Sequence, residues 1–247
     1  MFTINNLPDD DLLAIFDFCV VGYQDLDLDE LSDYGTKIEI ESWQSLVHVC
    51  RRWRGLVFGS PRHLNLQLCW ITRTPARGTL DVWPALPLLI QGYVSRGSVL
   101  VQMENVITEL ELSDRTCLIN LRFHTTSQIE NFWTAMKVPF PKLEVLYLSF
   151  MDLSYVPVLP DSFLGGSAPR LQSFYLDTIP FPGLPKLLLS ATHLVNLWLF
   201  NIPHSGYISP EAMVTCLTML TKLKTLQLEF ESPQSYFLAG KTDVHIY

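Results

Sequence analysis

A six-residue pattern, apolar-x-x-apolar-x-apolar, occurs five times between residues 118 and 228 and limits the fold more than any other feature of the chain. The copies begin at Leu118, Leu143, Leu171, Leu194 and Leu223, so their starts lie 25, 28, 23 and 29 residues apart. Side chains alternate between the two faces of a strand, so the last two apolar residues of each copy share one face. A single strand cannot bury that face, whereas stacked copies can. The pattern therefore predicts a repeat architecture.

The segments between the copies carry helix signals. Helices are predicted for residues 104–112, 127–137, 184–190 and 211–220, the last one opened by Ser209 and Pro210. Residues 109–112 also alternate in a way that fits a strand. Strands that alternate with helices predict an α/β fold, here an arc-shaped solenoid with a parallel sheet on its concave side and helices on its back. The period and the pattern resemble leucine-rich repeats.

Residues 1–60 carry a different pattern, that of two amphipathic helical segments. Pro8 suits the start of a helix, and the three aspartates that follow it favour the positive end of the helix dipole. The first helix is apolar nearly all round, so either the repeats or another protein must bury it. The two apolar stripes are Leu12, Ile15, Phe16 and Cys19, and Leu46, Val49, Cys50 and Trp53, the second extended by Leu56 and Val57.

This N-terminal region resembles the F-box. The family theme is a Leu-Pro start, a short helix ending near Ile-Phe and a later Val-Cys-Arg-x-Trp, which Leu7-Pro8, Ile15-Phe16 and Val49-Cys50-Arg51-Arg52-Trp53 match. An F-box followed by leucine-rich repeats looks like the substrate receptors of SCF ubiquitin ligases. Short segments such as Phe181-Pro182-Gly183-Leu184 resemble sequences of the large F-box families of mushroom-forming (basidiomycete) fungi. The resemblance implies a Skp-family adaptor, and through it a cullin ligase, as partners. The residues that it implies for adaptor binding are Leu7, Pro8, Leu12, Ile15, Phe16, Leu46, Val49, Cys50 and Trp53.

The resemblance covers about residues 4–231 and predicts an F-box-like helical domain (1–60), a leucine-rich-repeat solenoid (61–231) and a non-repeat tail (232–247). Residues 25–41 hold seven acidic residues against one lysine, at a point where F-boxes are usually tighter. This acidic insertion predicts an exposed loop, either a tolerated surface insertion or an acidic contact to a basic partner. An insertion that lay over the adaptor-binding face would interfere with adaptor binding.

The region between the two domains shows weaker strand patterns. Leu64, Leu66 and Leu68 alternate with polar residues and predict a strand. Residues 72–78 predict a loop, and residues 82–93 predict a weaker strand whose prolines place it at an edge or a start. The sequence shows neither a further repeat nor a polar cap after Leu228, which is the pattern expected of a short or truncated family member. We therefore expect the last strand to be poorly protected.

Composition narrows the classes of partner. The net charge of −8 argues against nucleic acid and anionic membranes, and Arg51, Arg52 and Arg54 form the only dense basic cluster. Five scattered cysteines without a Cys-x-x-Cys motif are typical of small core residues in a reducing compartment. Neither a secretory signal nor a membrane-spanning apolar run is legible. The expected location is intracellular, either cytoplasmic or nuclear.

The sequence predicts no catalytic, cofactor or metal site. It lacks the Gly-x-Ser-x-Gly, phosphate-loop and His-Glu-x-x-His motifs, and its six histidines have no pair at metal-ligand spacing. We interpret Gly165-Gly166-Ser167 as a turn rather than a nucleophile. A non-catalytic protein is therefore expected. A hydrolase on a helix–strand scaffold would need a convergent Ser/His/Asp or Glu/His cluster in the folded chain.

The outward residues of the five strands predict a binding surface. Tyrosine, tryptophan and arginine, which are common at binding hot spots, dominate the expected central column and favour a protein target. The alternative is that these aromatic residues only pack side by side along a sheet. The column is Arg122, Tyr147, Tyr175, Trp198 and Gln227, flanked by Asn120, Val145, Ser173, Asn196 and Thr225 and by His124, Ser149, Asp177, Phe200 and Glu229.

Together these patterns favour an SCF-type substrate receptor that holds an unidentified target protein on the concave face. The alternative is a protein-interaction scaffold whose F-box-like helices only cap the solenoid.

Overall fold

The computed structural model describes residues 4–20, 43–71, 84–94, 99–124, 129–151 and 158–231. The chain falls into two compact units. The first unit comprises the described residues of Met1–Trp70 and Arg77–Leu89, and the second comprises those of Ile71–Ala76 and Ile90–Tyr247. The predictions for the acidic insertion (25–41), the loop (72–78) and the tail (232–247) lie outside the described residues.

The described residues of the first unit form a 3-10 turn at Ile4–Asn6 and three helices, α1 (Asp9–Cys19), α2 (Trp43–Val47) and α3 (Arg51–Gly59). Helix α1 follows Pro8 and holds three aspartates in its first turn, where the free N–H groups stabilise negative charge. It buries Leu12 and Phe16. The helix predicted from the first apolar stripe is confirmed.

The second apolar stripe is interrupted, so the prediction of one continuous helix is wrong. Helix α2 ends at Val47, and α3 begins at Arg51 after Cys50 in an extended conformation, with φ −159° and ψ 170°. The Nε of Arg54 donates to the Val47 carbonyl at 3.0 Å and satisfies an acceptor that the end of α2 leaves open. Helical spacing continues across the break, and for this reason the periodicity does not reveal it.

Residues 61–65 form turns rather than the strand predicted from Leu64, Leu66 and Leu68. The Leu66 N–H donates to a carbonyl five residues earlier at 3.0 Å, and Asn65 has a φ of +46°. All three leucines are buried. The alternation therefore marks burial, and strand pairing starts only at Leu68.

In the described part of the chain, seven strands form one sheet in the order of the sequence. Strands β3 to β7 pair in parallel, and β2 confirms the strand predicted within residues 82–93. The strands are β1 (Leu68–Ile71), β2 (Leu88–Val94), β3 (Thr116–Phe123), β4 (Val145–Phe150), β5 (Ser173–Asp177), β6 (Asn196–Ile202) and β7 (Thr225–Phe230).

Four helices alternate with these strands in the described part of the second unit: α4 (Val99–Leu110), α5 (Ile129–Ala135), α6 (Leu184–Ser190) and α7 (Pro210–Met219). Each overlaps one predicted helix, and residues 109–110 are helical rather than strand. The Ser209 Oγ accepts a hydrogen bond from the Ala212 N–H at 3.2 Å and caps α7. The α/β class is confirmed, and the arrangement is solenoid-like.

One face of the second unit's sheet carries its core. The inner residues predicted from the repeat pattern in β3 to β6, such as Leu146 and Leu148, are buried. Phe123 of β3 lies against Phe132 of α5 with ring centroids 5.0 Å apart, and Phe150 lies 6.4 Å from Trp133. Helices therefore cover this face and leave the opposite strand face for other contacts.

The register of β3 differs by two residues from the predicted central column. Arg122 pairs with Ser149, and Asn120 pairs with Tyr147. A shift of two residues keeps every side chain on its own face, so alternation alone does not distinguish the two registers. The observed one brings the inner rings of Phe123 and Phe150 into a stack, 5.0 Å between centroids and 20° between planes. Two outward rows result: Asn120, Tyr147, Tyr175, Trp198 and Gln227, and beside it Arg122, Ser149, Asp177 and Phe200.

The cysteines divide between core and surface. Cys117 and Cys216 are buried, and burial raises the pKa of the Cys117 thiol to about 11. Cys19 and Cys50 are exposed, so the expectation that all five are core residues is wrong for these two. None of the five cysteines, all of which lie in described segments, forms a disulfide bond.

Strand β7 is the last strand of the sheet, and its inner side chains are exposed to solvent. Leu226 and Leu228 are 43% and 37% exposed, whereas their counterparts in β4, Leu146 and Leu148, are buried. We therefore expect the amide hydrogens of β7 to exchange at least about tenfold faster than those of β4, because fewer apolar contacts oppose local opening. Hydrogen–deuterium exchange followed by mass spectrometry measures the difference. Equal protection of the two strands would contradict this expectation.

Candidate interaction surfaces

The residues that resemble the F-box fall into two groups in the first unit. Leu12, Phe16 and Leu46 are buried. Trp53 is half-buried and packs on Phe16, with 4.7 Å between ring centroids. These four side chains hold the three helices together, so a partner that binds this unit does not reach the three buried ones directly.

The other members of that set face outward. Pro8, Cys50, Ile15 and Val49 are exposed, the last two by 41% and 58%, and Leu7 is half-buried. Exposed apolar side chains close together mark a partner surface more often than isolated ones do. The break between α2 and α3 explains the exposure of Val49 and Cys50, because it takes them out of the helical stripe that would bury them.

Two further apolar side chains belong to the exposed set and were not among the expected adaptor-binding residues. Phe18 is 92% exposed and Ile4 is 48% exposed. Phe18 lies three residues after Ile15 in α1, so both occupy the same side of the helix. The apolar character of α1 all round signals this second face, although the resemblance does not single out Phe18. We name Ile4, Ile15, Phe18, Val49 and Cys50 the outer apolar set.

Two arginine side chains link the helices of the first unit to one another. The Nη2 of Arg52 donates to Asp9 Oδ1 and to the Leu7 carbonyl, both at 2.6 Å, and its Nε donates to the same carboxylate at 3.0 Å. These bonds join the start of α1 to α3. Arg54 donates to the end of α2. Two of the three arginines in the basic cluster therefore bond to oxygens of the unit itself.

The strand face of the second unit carries an aromatic row. The rings of Tyr147 and Tyr175 stack in parallel, with 3.9 Å between centroids and 4° between planes. Arg122 lies over the Tyr147 ring, with its Cζ 5.3 Å from the centroid, and its Nη2 donates to the Tyr147 hydroxyl at 3.2 Å. Trp198 is half-buried and Gln227 is exposed. Side-by-side packing along the sheet therefore describes Tyr147 and Tyr175. The binding role expected for this face stays a prediction.

A polar cluster adjoins the aromatic row at the carboxyl ends of β4 to β6. Asp177 accepts three hydrogen bonds, from Ser149 Oγ at 3.0 Å, Thr178 Oγ1 at 3.1 Å and Asn201 Nδ2 at 3.0 Å. Thr178 and Asn201 adopt positive φ values of 64° and 50°. Such values are uncommon outside glycine. The two irregular strand ends thus place two of the donors around the carboxylate.

The same cluster affects the neighbouring phenol. Burial, then the hydrogen bond with Tyr147 and the negative charge of Asp177, raise the pKa of Tyr175 well above its usual value. Tyr175 therefore stays protonated throughout the physiological range. Its hydroxyl acts as a neutral hydrogen-bonding group on this face.

Among the residues that the structure describes, no three His, Cys, Asp or Glu side chains lie close enough to hold a metal ion. Gly165 and Gly166 have φ values of +65° and +74° and close a 3-10 turn, Phe163–Gly166, which agrees with the turn interpretation. His193 is exposed, and its Nδ1 lies 2.9 Å from the Pro169 carbonyl.

No helix within the described segments combines the length and the apolar character needed to cross a membrane. No protein-family model, curated protein or solved structure matches the chain.

Proposed function

We propose that the chain is the substrate-recognition subunit of an SCF-type ubiquitin ligase. Its first unit, an F-box, docks a Skp-family adaptor and through it a cullin ligase. The observation that carries the proposal is the outer apolar set, because five apolar side chains in a small helical unit stay in contact with water while Leu12 and Phe16 of the same unit are buried. Partner interfaces are built around such side chains.

The second unit, a leucine-rich-repeat solenoid, holds the target protein on its strand face. Its aromatic and arginine side chains are of the types that dominate binding hot spots. The mechanism is proximity: the receptor raises the effective concentration of target lysines near a charged ubiquitin carrier and makes no bond itself. The proposed site of action is the cytoplasm or the nucleus, with neither nucleic acid nor membrane as a partner.

The division between buried and exposed residues decides how adaptor binding should be tested. Substitution of Phe16 or Trp53 would disrupt the helix packing, so the variant must change exposed positions instead. We expect the Ile15→Asp, Val49→Asp double variant to fold and to bind a Skp-family adaptor at least about 30-fold more weakly than the natural chain. Each aspartate would put a charge into the apolar contact proposed with the adaptor. Pull-down followed by titration calorimetry measures the loss.

A matched control places the same two charges outside the first unit. Val214 and Met219 of α7 are 59% and 55% exposed, so Val214→Asp, Met219→Asp should leave adaptor binding unchanged. Equal binding by the Ile15, Val49 variant and the natural chain would refute the assignment of this surface. Absence of adaptor binding by the folded natural chain would refute the receptor function and favour the interaction scaffold.

A further inference from the structure

In the described part of the chain, the Asp177 carboxylate accepts hydrogen bonds from neutral donors alone. Each of its three hydrogen-bond donors, Ser149, Thr178 and Asn201, is neutral. Within the described segments, no lysine, arginine or histidine forms an ion pair with this carboxylate. The three donors fix the position of the carboxylate on the strand face, where Asp177 is half-exposed. A fixed, solvent-accessible carboxylate favours a positively charged partner group.

Aromatic rings stand beside this carboxylate. Phe200 is the Cα partner of Asp177 in the neighbouring strand, and Tyr175 precedes Asp177 by two residues on the same face. The Tyr175 and Phe200 rings lie 5.4 Å apart between centroids, with planes 43° apart. Both side chains are half-buried, so part of each ring contacts solvent. Aromatic faces attract cations, and they also accept the methylene stem of a long basic side chain.

Other classes of ligand group fit this corner less well. Asp177 repels a carboxylate or a phosphate. An uncharged apolar group would remove the carboxylate from water without supplying a new partner, which costs free energy. Arg122 lies two strands from Asp177 in the same row, and Ser149 separates the positive guanidinium from the negative carboxylate. A basic side chain is therefore favoured at β5 and β6 and disfavoured at β3.

We propose that the strand face recognises a protein segment through one lysine or arginine side chain, whose stem lies on Phe200 and Tyr175 and whose charged end binds Asp177. This inference rests on the proposed function of the second unit and specifies the chemical class of its target. The target segment needs no acidic residue next to this lysine or arginine, because the basic side chain alone distinguishes targets from other proteins.

The test uses the purified natural chain and four libraries of peptides about 12 residues long, randomised except for a central lysine, arginine, glutamine or glutamate. We expect the immobilised chain to retain the lysine and arginine libraries about five- to tenfold more than the glutamine library, as a cation–π contact together with a partly exposed ion pair implies. Asp177→Asn should abolish this preference. Phe200→Leu, which keeps the apolar volume and removes the ring, should reduce it, and provides a second variant should Asp177→Asn fail to fold.

Glu130→Gln is the matched control, because it removes one negative charge from an exposed position of α5 and should leave the preference intact. Equal retention of the four libraries, or loss of the preference in both Asp177→Asn and Glu130→Gln, would overturn the inference. The assay contains no adaptor, so its result is independent of adaptor binding. A lysine and arginine preference without adaptor binding would support the recognition site while refuting the ligase function.

Discussion

Replacing Phe16 with alanine is expected to lower the free energy of unfolding of the first unit by about 3–5 kcal/mol. The Phe16 side chain has no exposed surface and packs on Trp53, so its removal leaves a cavity between α1 and α3. A small helical unit has a small margin of stability, and this loss is large enough to unfold much of its population. Urea denaturation followed by tryptophan fluorescence and circular dichroism measures the change.

Phe18→Ala is the matched control on the same helix. Phe18 is 92% exposed, so its replacement should change the free energy of unfolding by less than about 0.5 kcal/mol. If Phe18 belongs to the adaptor-docking surface, the same variant should weaken adaptor binding while leaving the fold unchanged. Equal destabilisation by the two alanine variants would contradict the division of α1 into a core side and an outer side.

Glu109 is expected to make the second unit less stable as the pH rises. It lies in α4 with no exposed surface, and within the described segments neither of its carboxylate oxygens accepts a hydrogen bond. Burial raises its pKa to about 7, partly opposed by the positive charge of Arg115. The folded state therefore holds a proton that the unfolded state releases from about pH 4.5 upward. The stability decreases between about pH 4.5 and 7, and above that range the penalty is constant at about 3 kcal/mol.

Glu109→Gln should remove most of this dependence, because the amide is neutral at every pH. We expect the variant to be more stable than the natural chain by about 2–3 kcal/mol at pH 8 and closely similar at pH 4. Urea midpoints measured from pH 4 to 8 provide the comparison. Glu104→Gln, at an exposed position of the same helix, is the control and should leave the pH profile unchanged. A parallel profile for Glu109→Gln and the natural chain would contradict a buried, proton-binding Glu109.

The sequence predicts the strands and the helices of the second unit because their signals are local. Alternating apolar residues mark β3 to β6, and helix-start residues such as Ser209 mark α7. The register is not local. In the observed register Phe123 meets Phe150, a contact between residues from different repeats that alternation does not encode. The same register places Arg122 beside Ser149, outside the predicted central column.

The candidate sites are predictable as regions and much less so as individual residues. Helical spacing in the N-terminal segment identifies apolar positions, but the same spacing describes Phe16, which is buried, and Ile15, which is exposed. Only the packing of α1 against α3 separates them. Likewise, Asp177 appears in the sequence as one flanking residue. Its place in the proposed recognition site follows from three donors that come from different strand ends.

The sequential strand order has a consequence for folding. Neighbouring strands from β3 to β7 begin between 23 and 29 residues apart, and each pairs only with the strands adjacent to it in the chain. Because each strand depends only on its neighbours along the chain, folding can start at any adjacent pair and spread outward. A severe substitution in β5 is therefore expected to divide the unit into two shorter segments, β3–β4 and β6–β7. The same kind of substitution in β7 should remove one terminal strand and leave the remaining ladder folded.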